Sequence, residues 1–282
     1  MTNPSQPTLT GDLPADEEQD FPIPAPLTGH GPARIIAMCN QKGGVGKTTS
    51  VINLGAYIAL TGKKTLLIDF DPQGNMSSGV GIQKKRPTVY EALAQKTSIK
   101  NTIYPTTVKN LSAIPASIDL SGATVELVDE ADREFYLKNI IESVKNEYDY
   151  ILIDCPPSLG ILTLNGLTAA DQVYIPLQCE YFALEGLTLL LQTVQRVQQS
   201  LNPSLEIGGI FFTMFDSRTN LAQEVVQQVS SYFKDKVFST IIPRNVRLSE
   251  APSHGIPICN YDAKCTGARS YEKLADEVLN RG

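Results

Sequence analysis

The sequence predicts an α/β fold, a single domain built on a mostly parallel, twisted sheet with helices on both faces. Three observations carry that reading. From Arg34 onward, short β-branched apolar runs alternate with helix-length segments, and strands flanked by helices on both sides imply parallel strands covered on both faces. No Pro/Gly/Ser-rich linker interrupts residues 34–282, so one domain accounts for them. No repeat of fixed period appears, which excludes a solenoid.

Residues 1–32 stand outside this pattern. Residues 1–33 hold five acids (Asp12, Asp16, Glu17, Glu18, Asp20), no Lys or Arg and seven of the 18 prolines, with little apolar periodicity. Such a segment buries too little to offset its ordering entropy, so 1–32 is expected to be a disordered leader and 33–282 the folded domain. The runs Arg34–Cys39, Thr65–Asp69, Leu111–Ile114, Tyr150–Asp154, Gln172–Pro176, Ile207–Phe212 and Val237–Ile241 read as strands. Helical patterns fall near 48–61, 88–96, 118–129, 133–147, 184–200, 219–233 and 268–280.

Composition narrows the classes. Apolar residues make up 42% of the 282, and no run approaches the roughly 20 residues that span a bilayer, which excludes a membrane-embedded protein. The N-terminus has neither a basic start nor an apolar stretch, so cytoplasm is expected. Five cysteines form no CxxC pair and have two histidines for company, which speaks against disulfides and a metal centre of that type. Net charge is −6, yet without the leader's acids the remainder is nearly neutral, and an anionic partner stays open.

The sharpest motif is Asn40-Gln41-Lys42-Gly43-Gly44-Val45-Gly46-Lys47-Thr48-Thr49, set between a strand and a helix start. Glycines let successive N–H groups curl inward around a polyphosphate, and the helix N-terminus adds its positive end. Gly43, Gly44, Val45, Gly46, Lys47, Thr48 and Thr49 are the expected cradle, Lys47 reaching the β/γ-phosphates and the Thr48 hydroxyl ligating Mg²⁺. Strict GxxxxGK[ST] fails because position 41 is Gln, and an extra lysine, Lys42, opens the loop. The segment resembles the deviant Walker A motif of the ParA/MinD group of P-loop ATPases. That resemblance implies ATP and Mg²⁺ as cofactors and a nucleotide-sandwich homodimer in which Lys42 acts on the partner's nucleotide.

The acids follow. Leu66–Asp69 runs into Phe70-Asp71-Pro72-Gln73-Gly74-Asn75, placing two aspartates where open α/β sheets bind nucleotide. Asp71 is the candidate for orienting the attacking water, and Asp69 for Mg²⁺ or loop support; the segment is similar to the DxDPQGN stretch of ParA proteins, whose second Asp is needed for hydrolysis. Tyr150-Ile151-Leu152-Ile153-Asp154 has the Walker B pattern, with Asp154 expected to hold a Mg²⁺ water. Phosphoryl transfer asks mainly for positioning and charge neutralisation, so Lys42, Lys47 and Asp71 form the catalytic set.

Two later loops select among functions. Thr213–Asn220 and Ile242–Gly255 each follow a strand and expose arginines among small polar residues, a pattern suited to contacting DNA phosphates without reading sequence. Both resemble segments of the chromosomal ParA proteins called Soj. The resemblance, from about Arg34 to the C-terminus, implies that Arg218 and Arg247 bind DNA, that Pro243 and Asn245 border the adenine, and that a ParB/Spo0J-like protein stimulates hydrolysis on the nucleoid. Arg244 and Lys236 could extend the patch. The alternative is a MinD-like membrane-cycling or cargo-positioning ATPase. The membrane version needs a basic amphipathic C-terminal helix, whereas Ser270–Gly282 reads as a packing helix, and no membrane partner is expected.

Overall fold

A computed structural model describes residues 33–126, 130–180 and 183–281. The leader expectation for 1–32 lies outside the described residues, as do positions 127–129 of the helix expected over 118–129.

β1 (Arg34–Met38) leads through the glycine loop into α1 (Lys47–Leu60), and β2 (Thr65–Asp69) into α2 (Asn75–Gly79) and α3 (Val89–Leu93). A two-residue β3 (Tyr104–Pro105) precedes β4 (Leu111–Ile114), α4 (Leu120–Glu126) and α5 (Tyr136–Ile141). β5 (Tyr150–Asp154), α6 (Ile161–Ala169), β6 (Gln172–Gln178), α7 (Ala183–Ser200), β7 (Glu206–Thr213) and α8 (Asn220–Phe233) complete the alternation. α9 (Val246–Glu250), α10 (Ile258–Tyr261) and α11 (Thr266–Asn280) close the chain.

The sheet order is β3-β4-β2-β5-β1-β6-β7, parallel except for β3 against β4. Strand side chains alternate between two cores. Ile35, Ala37, Ile151 and Ile153 face the layer of α3, α6, α7 and α8, whereas Ile36, Met38 and Leu152 face α1 and α11. β1 lies between β5 and β6, and the chain crosses to opposite sides of it, so the loop leaving β1 opens at the switch point where such sheets bind ligands.

Two expected elements take another form. Val237–Ile241 is no strand: one isolated bridge pairs Val237 with Ile210 of β7, and a second, beyond both segments, pairs Pro243 with Phe215. The N–H groups of Ser239 and Thr240 donate instead to the Glu277 carboxylate of α11 (2.9 and 3.0 Å), which ends the ladder. The helix expected over 133–147 shrinks to α5 between two 3₁₀ turns. Asn165 of α6 takes both groups of one helical bond, its Oδ1 accepting from Leu137 N–H (3.1 Å) and its Nδ2 donating to the Arg133 carbonyl (2.8 Å).

Candidate nucleotide site

Gly44 and Gly46 have φ of +75° and +88°, so the turn after β1 uses a backbone region that side chains disfavour. Gly46 caps α1 without a side chain, and the free N–H groups of the first turn face a cavity of about 740 Å³ lined by Gly44, Lys47, Thr48, Asp71, Pro243 and Asn245 among others. A Cβ at Gly43 or Gly44 would meet nothing within 4 Å, so the loop leaves room for a ligand to approach its backbone. Val45 points into the core; its contribution is its backbone.

The loop is held from both flanks. Asn40 Nδ2 donates to the Pro176 carbonyl (2.7 Å) while its Oδ1 accepts from Lys42 N–H (2.9 Å). Thr213 Oγ1, at the end of β7, donates to the Val45 carbonyl (2.8 Å). Lys47 is 6% exposed and its Nζ donates to the Lys42 carbonyl (3.1 Å). Burial holds the Lys47 ammonium below the usual lysine range, against the opposing pull of Asp154 and Asp71. Lys42 lies outside the cavity lining, with its Nζ against Glu180 of the same chain.

The aspartates divide the work. β2 and β5 pair with Asp69 opposite Asp154, so both carboxyls sit at the cavity edge of the sheet, fully buried. Asp69 Oδ2 accepts from the Ser77 N–H (2.7 Å) and hydroxyl (2.6 Å), and Oδ1 from Asp71 N–H (3.3 Å). These bonds tie β2 to α2. Asp71 lines the cavity and steadies its turn through Gln73 N–H (3.0 Å).

Asp154 is the exception: neither carboxylate oxygen has a hydrogen-bond partner of ordinary geometry, although the Thr48 hydroxyl lies beside it. Burial pushes its carboxyl well above the usual range, the Asp69 charge adds to that, and Thr48 and Lys47 oppose it. An unpartnered buried carboxylate is unfavourable, and a hydrated divalent cation is the partner that satisfies it. Among the described residues no group of three or more His, Cys, Asp or Glu could cage a metal alone. Thr48 and Asp154 therefore fit Mg²⁺, which keeps several waters and shares itself with substrate phosphates.

Pro243 and Asn245 both reach the cavity, and Asn245 also caps α9 by accepting from Arg247 N–H (2.9 Å). The arginines singled out in the sequence are exposed but engaged. Arg218 grips Asp216 with two bonds (2.8 and 2.6 Å), and Arg247 pairs with Glu250 (2.9 Å) and Asp262 (3.6 Å). Lys236 lies at the far end of the sheet and is not contiguous with Arg244. Sequence reasoning missed Asn40, Glu180 and the Thr213 hydroxyl; only Asn40 and Thr213 left a trace, as polar residues closing apolar strands.

An AAA-domain family model matches residues 33–207. The chain is 73% identical over 248 residues to the chromosome-partitioning ATPase Soj of Treponema pallidum, covering 88% of this chain and 98% of that protein. It is 57% identical over 251 residues to the sporulation initiation inhibitor protein Soj of Bacillus subtilis, covering 88% and 99%. Among solved structures, cobyrinic acid a,c-diamide synthase of Mycobacterium smegmatis with bound ADP and magnesium matches with a TM-score of 0.77 at 38% identity, over 88% of this chain and 94% of that one.

Proposed function

The chain belongs to the ParA/Soj family of chromosome-partitioning ATPases, and from that premise we propose that it hydrolyses ATP with Mg²⁺ as a face-to-face homodimer. While ATP is bound the dimer holds double-stranded DNA without regard to sequence, and a ParB/Spo0J-like protein stimulates hydrolysis and release. The observation that carries this reading is the division of the two loop lysines. Lys47 is drawn into the cavity and Lys42 is turned outward to the rim, where a second copy can receive it.

Lys47 and the loop N–H groups bind the triphosphate; Asp71 orients the attacking water; Thr48 and Asp154 hold the metal. Bound Mg²⁺ supplies charge neutralisation between the phosphates. Lys42 from the partner plays the part of an arginine finger, a contribution on the order of 10³–10⁵ in rate, so an isolated chain hydrolyses slowly and pairing is the switch. Arg218 and Arg247 supply phosphate contacts once their carboxylate partners yield. The membrane-cycling alternative is disfavoured because the apolar face of α11, with Tyr271, Leu274 and Val278, is packed into the core shared with α1. ATPase rate against protein concentration, with and without duplex DNA, tests the proposal. Superlinear dependence enhanced by DNA is expected, and strict linearity from a stable monomer opposes it.

A further inference from the structure

At the end of the sheet opposite the nucleotide site, the first residues of β1, β6 and β7 border a second cavity of about 750 Å³. Four cations line it, Arg34, Lys234, Lys236 and Arg281, against two carboxylates, Glu206 and Asp235. Among the described residues none of the four cations has a carboxylate within ion-pair distance. Both guanidinium groups are fixed by neutral partners instead. Arg34 donates to Gln172 Oε1 (3.0 and 2.6 Å), the Val278 carbonyl (3.0 Å) and the Tyr174 hydroxyl (3.2 Å). Arg281 donates to the Val237 carbonyl (2.7 Å) and stacks over the Phe238 ring (4.0 Å). The nearby Glu277 is already occupied by Ser239 and Thr240. Positioned arginines with no carboxylate in ion-pair distance, beside two lysines on one turn that leave the lining with an excess of positive charge, form an anion-receiving edge.

We propose that the occupant of this edge is the acidic leader of the same chain, residues 1–32, docked through its carboxylates. Three observations choose it over a free anion. The leader joins the domain at Ala33, next to Arg34, whose side chain lines the cavity. Its charged side chains are all acids, and Asp16, Glu17, Glu18 and Asp20 lie 14 to 18 residues before Arg34. Fourteen residues span up to roughly 45–50 Å when extended and about 20 Å on average as a flexible chain, so the acids reach the edge at an effective concentration in the millimolar range. The other cavity beside Ala33 offers no comparable seat, because its Lys145 is paired with Glu142 (2.7 Å) and its Lys138 lies over Phe135 (6.0 Å). The inference stands apart from the nucleotide reading, since it concerns the other end of the sheet.

Carbodiimide cross-linking of the full-length protein, followed by peptide mass spectrometry on a mixture of isotope-labelled and unlabelled chains, tests it. The expected result is same-chain amide links from leader carboxylates concentrated on Lys234 and Lys236, reduced several-fold as salt approaches 1 M, where the Debye length is about 3 Å. A full-length variant with Asp16→Asn, Glu17→Gln, Glu18→Gln and Asp20→Asn should show several-fold faster acetylation of Lys234 and Lys236. Links spread over all exposed lysines, links only between isotopically distinct chains, or unchanged acetylation in the amide variant would each overturn the proposal. So would protection of the two lysines by duplex DNA alone, which would make the edge a phosphate-binding surface.

Discussion

Asp154→Asn should make the ligand-free protein more stable while weakening its hold on magnesium nucleotide. The buried carboxylate has no hydrogen-bond partner of ordinary geometry, and burial raises its pKa above the ordinary 3.8 against the opposing pull of the nearby Thr48 hydroxyl, so the folded state prefers the protonated form. The sign follows from linkage. Stability is fully present below the unfolded value and is lost as pH rises through the folded one, so wild type without ligand loses stability on going from acid toward neutral pH. The amide removes that loss. An unsatisfied buried polar group costs about 1–3 kcal/mol, and for a domain of this size each kcal/mol moves Tm by about 2–4 °C, giving a rise of roughly 2–12 °C near neutral pH. Magnesium-dependent nucleotide affinity should fall about 10–100-fold, the range for losing a residue that orients a metal's bound ligands. Thermal unfolding across pH, with and without ADP and magnesium, reads both effects. A lower Tm in the ligand-free variant together with unchanged magnesium dependence would refute the reasoning, because Asp154 would then be a satisfied structural carboxylate.

Thr213→Val removes the hydroxyl that holds the Val45 carbonyl, leaves that buried oxygen unpaired, and should weaken nucleotide binding by about 1–3 kcal/mol in a titration; unchanged affinity would mean the loop keeps its shape unaided. Glu180→Gln frees Lys42 from an exposed pair worth at most about 1 kcal/mol, and two such pairs are released per dimer, so ATP-dependent dimerisation in sedimentation experiments should tighten by up to about thirtyfold, whereas loss of the dimer would make Glu180 an interface group. Arg218→Ala with Arg247→Ala should weaken DNA binding equally across sequences and flatten its salt slope by about one phosphate contact per arginine. Asp216→Asn should strengthen that binding, since it releases Arg218 from its two-point grip; weaker binding would assign the Asp216–Arg218 pair a structural role.

Legibility in the sequence followed the range of the forces involved. β1, β2 and β5 were readable because each is a short apolar run ending at a polar residue, and the glycine loop because its conformation is a local demand. α6 escaped notice because it is buried on nearly all sides and so carries no helical stripe. Two-residue β3 is too short to show a period. The truncated α5 and the strand that fails to form at Val237–Ile241 depend on Asn165 and Glu277, side chains 28 or more positions distant. At the site, residue types announced Lys47, Thr48, Asp71 and Asp154. The Lys42–Glu180 pair and the Thr213–Val45 bond join residues 138 and 168 positions apart, which no local pattern encodes.

The central claim, that Lys42 serves the neighbouring copy's nucleotide, is tested most directly by mixing two inactive variants, Lys42→Ala and Asp71→Ala, and measuring ATP hydrolysis. If the lysine acts across the interface, each mixed dimer contains one site with an intact Asp71 and a borrowed Lys42. With random pairing of equal amounts, activity should return to about a quarter of the wild-type rate. If Lys42 acts on its own chain's nucleotide, every site in the mixture lacks one of the two groups, and activity that stays at the level of the separate variants would contradict the account.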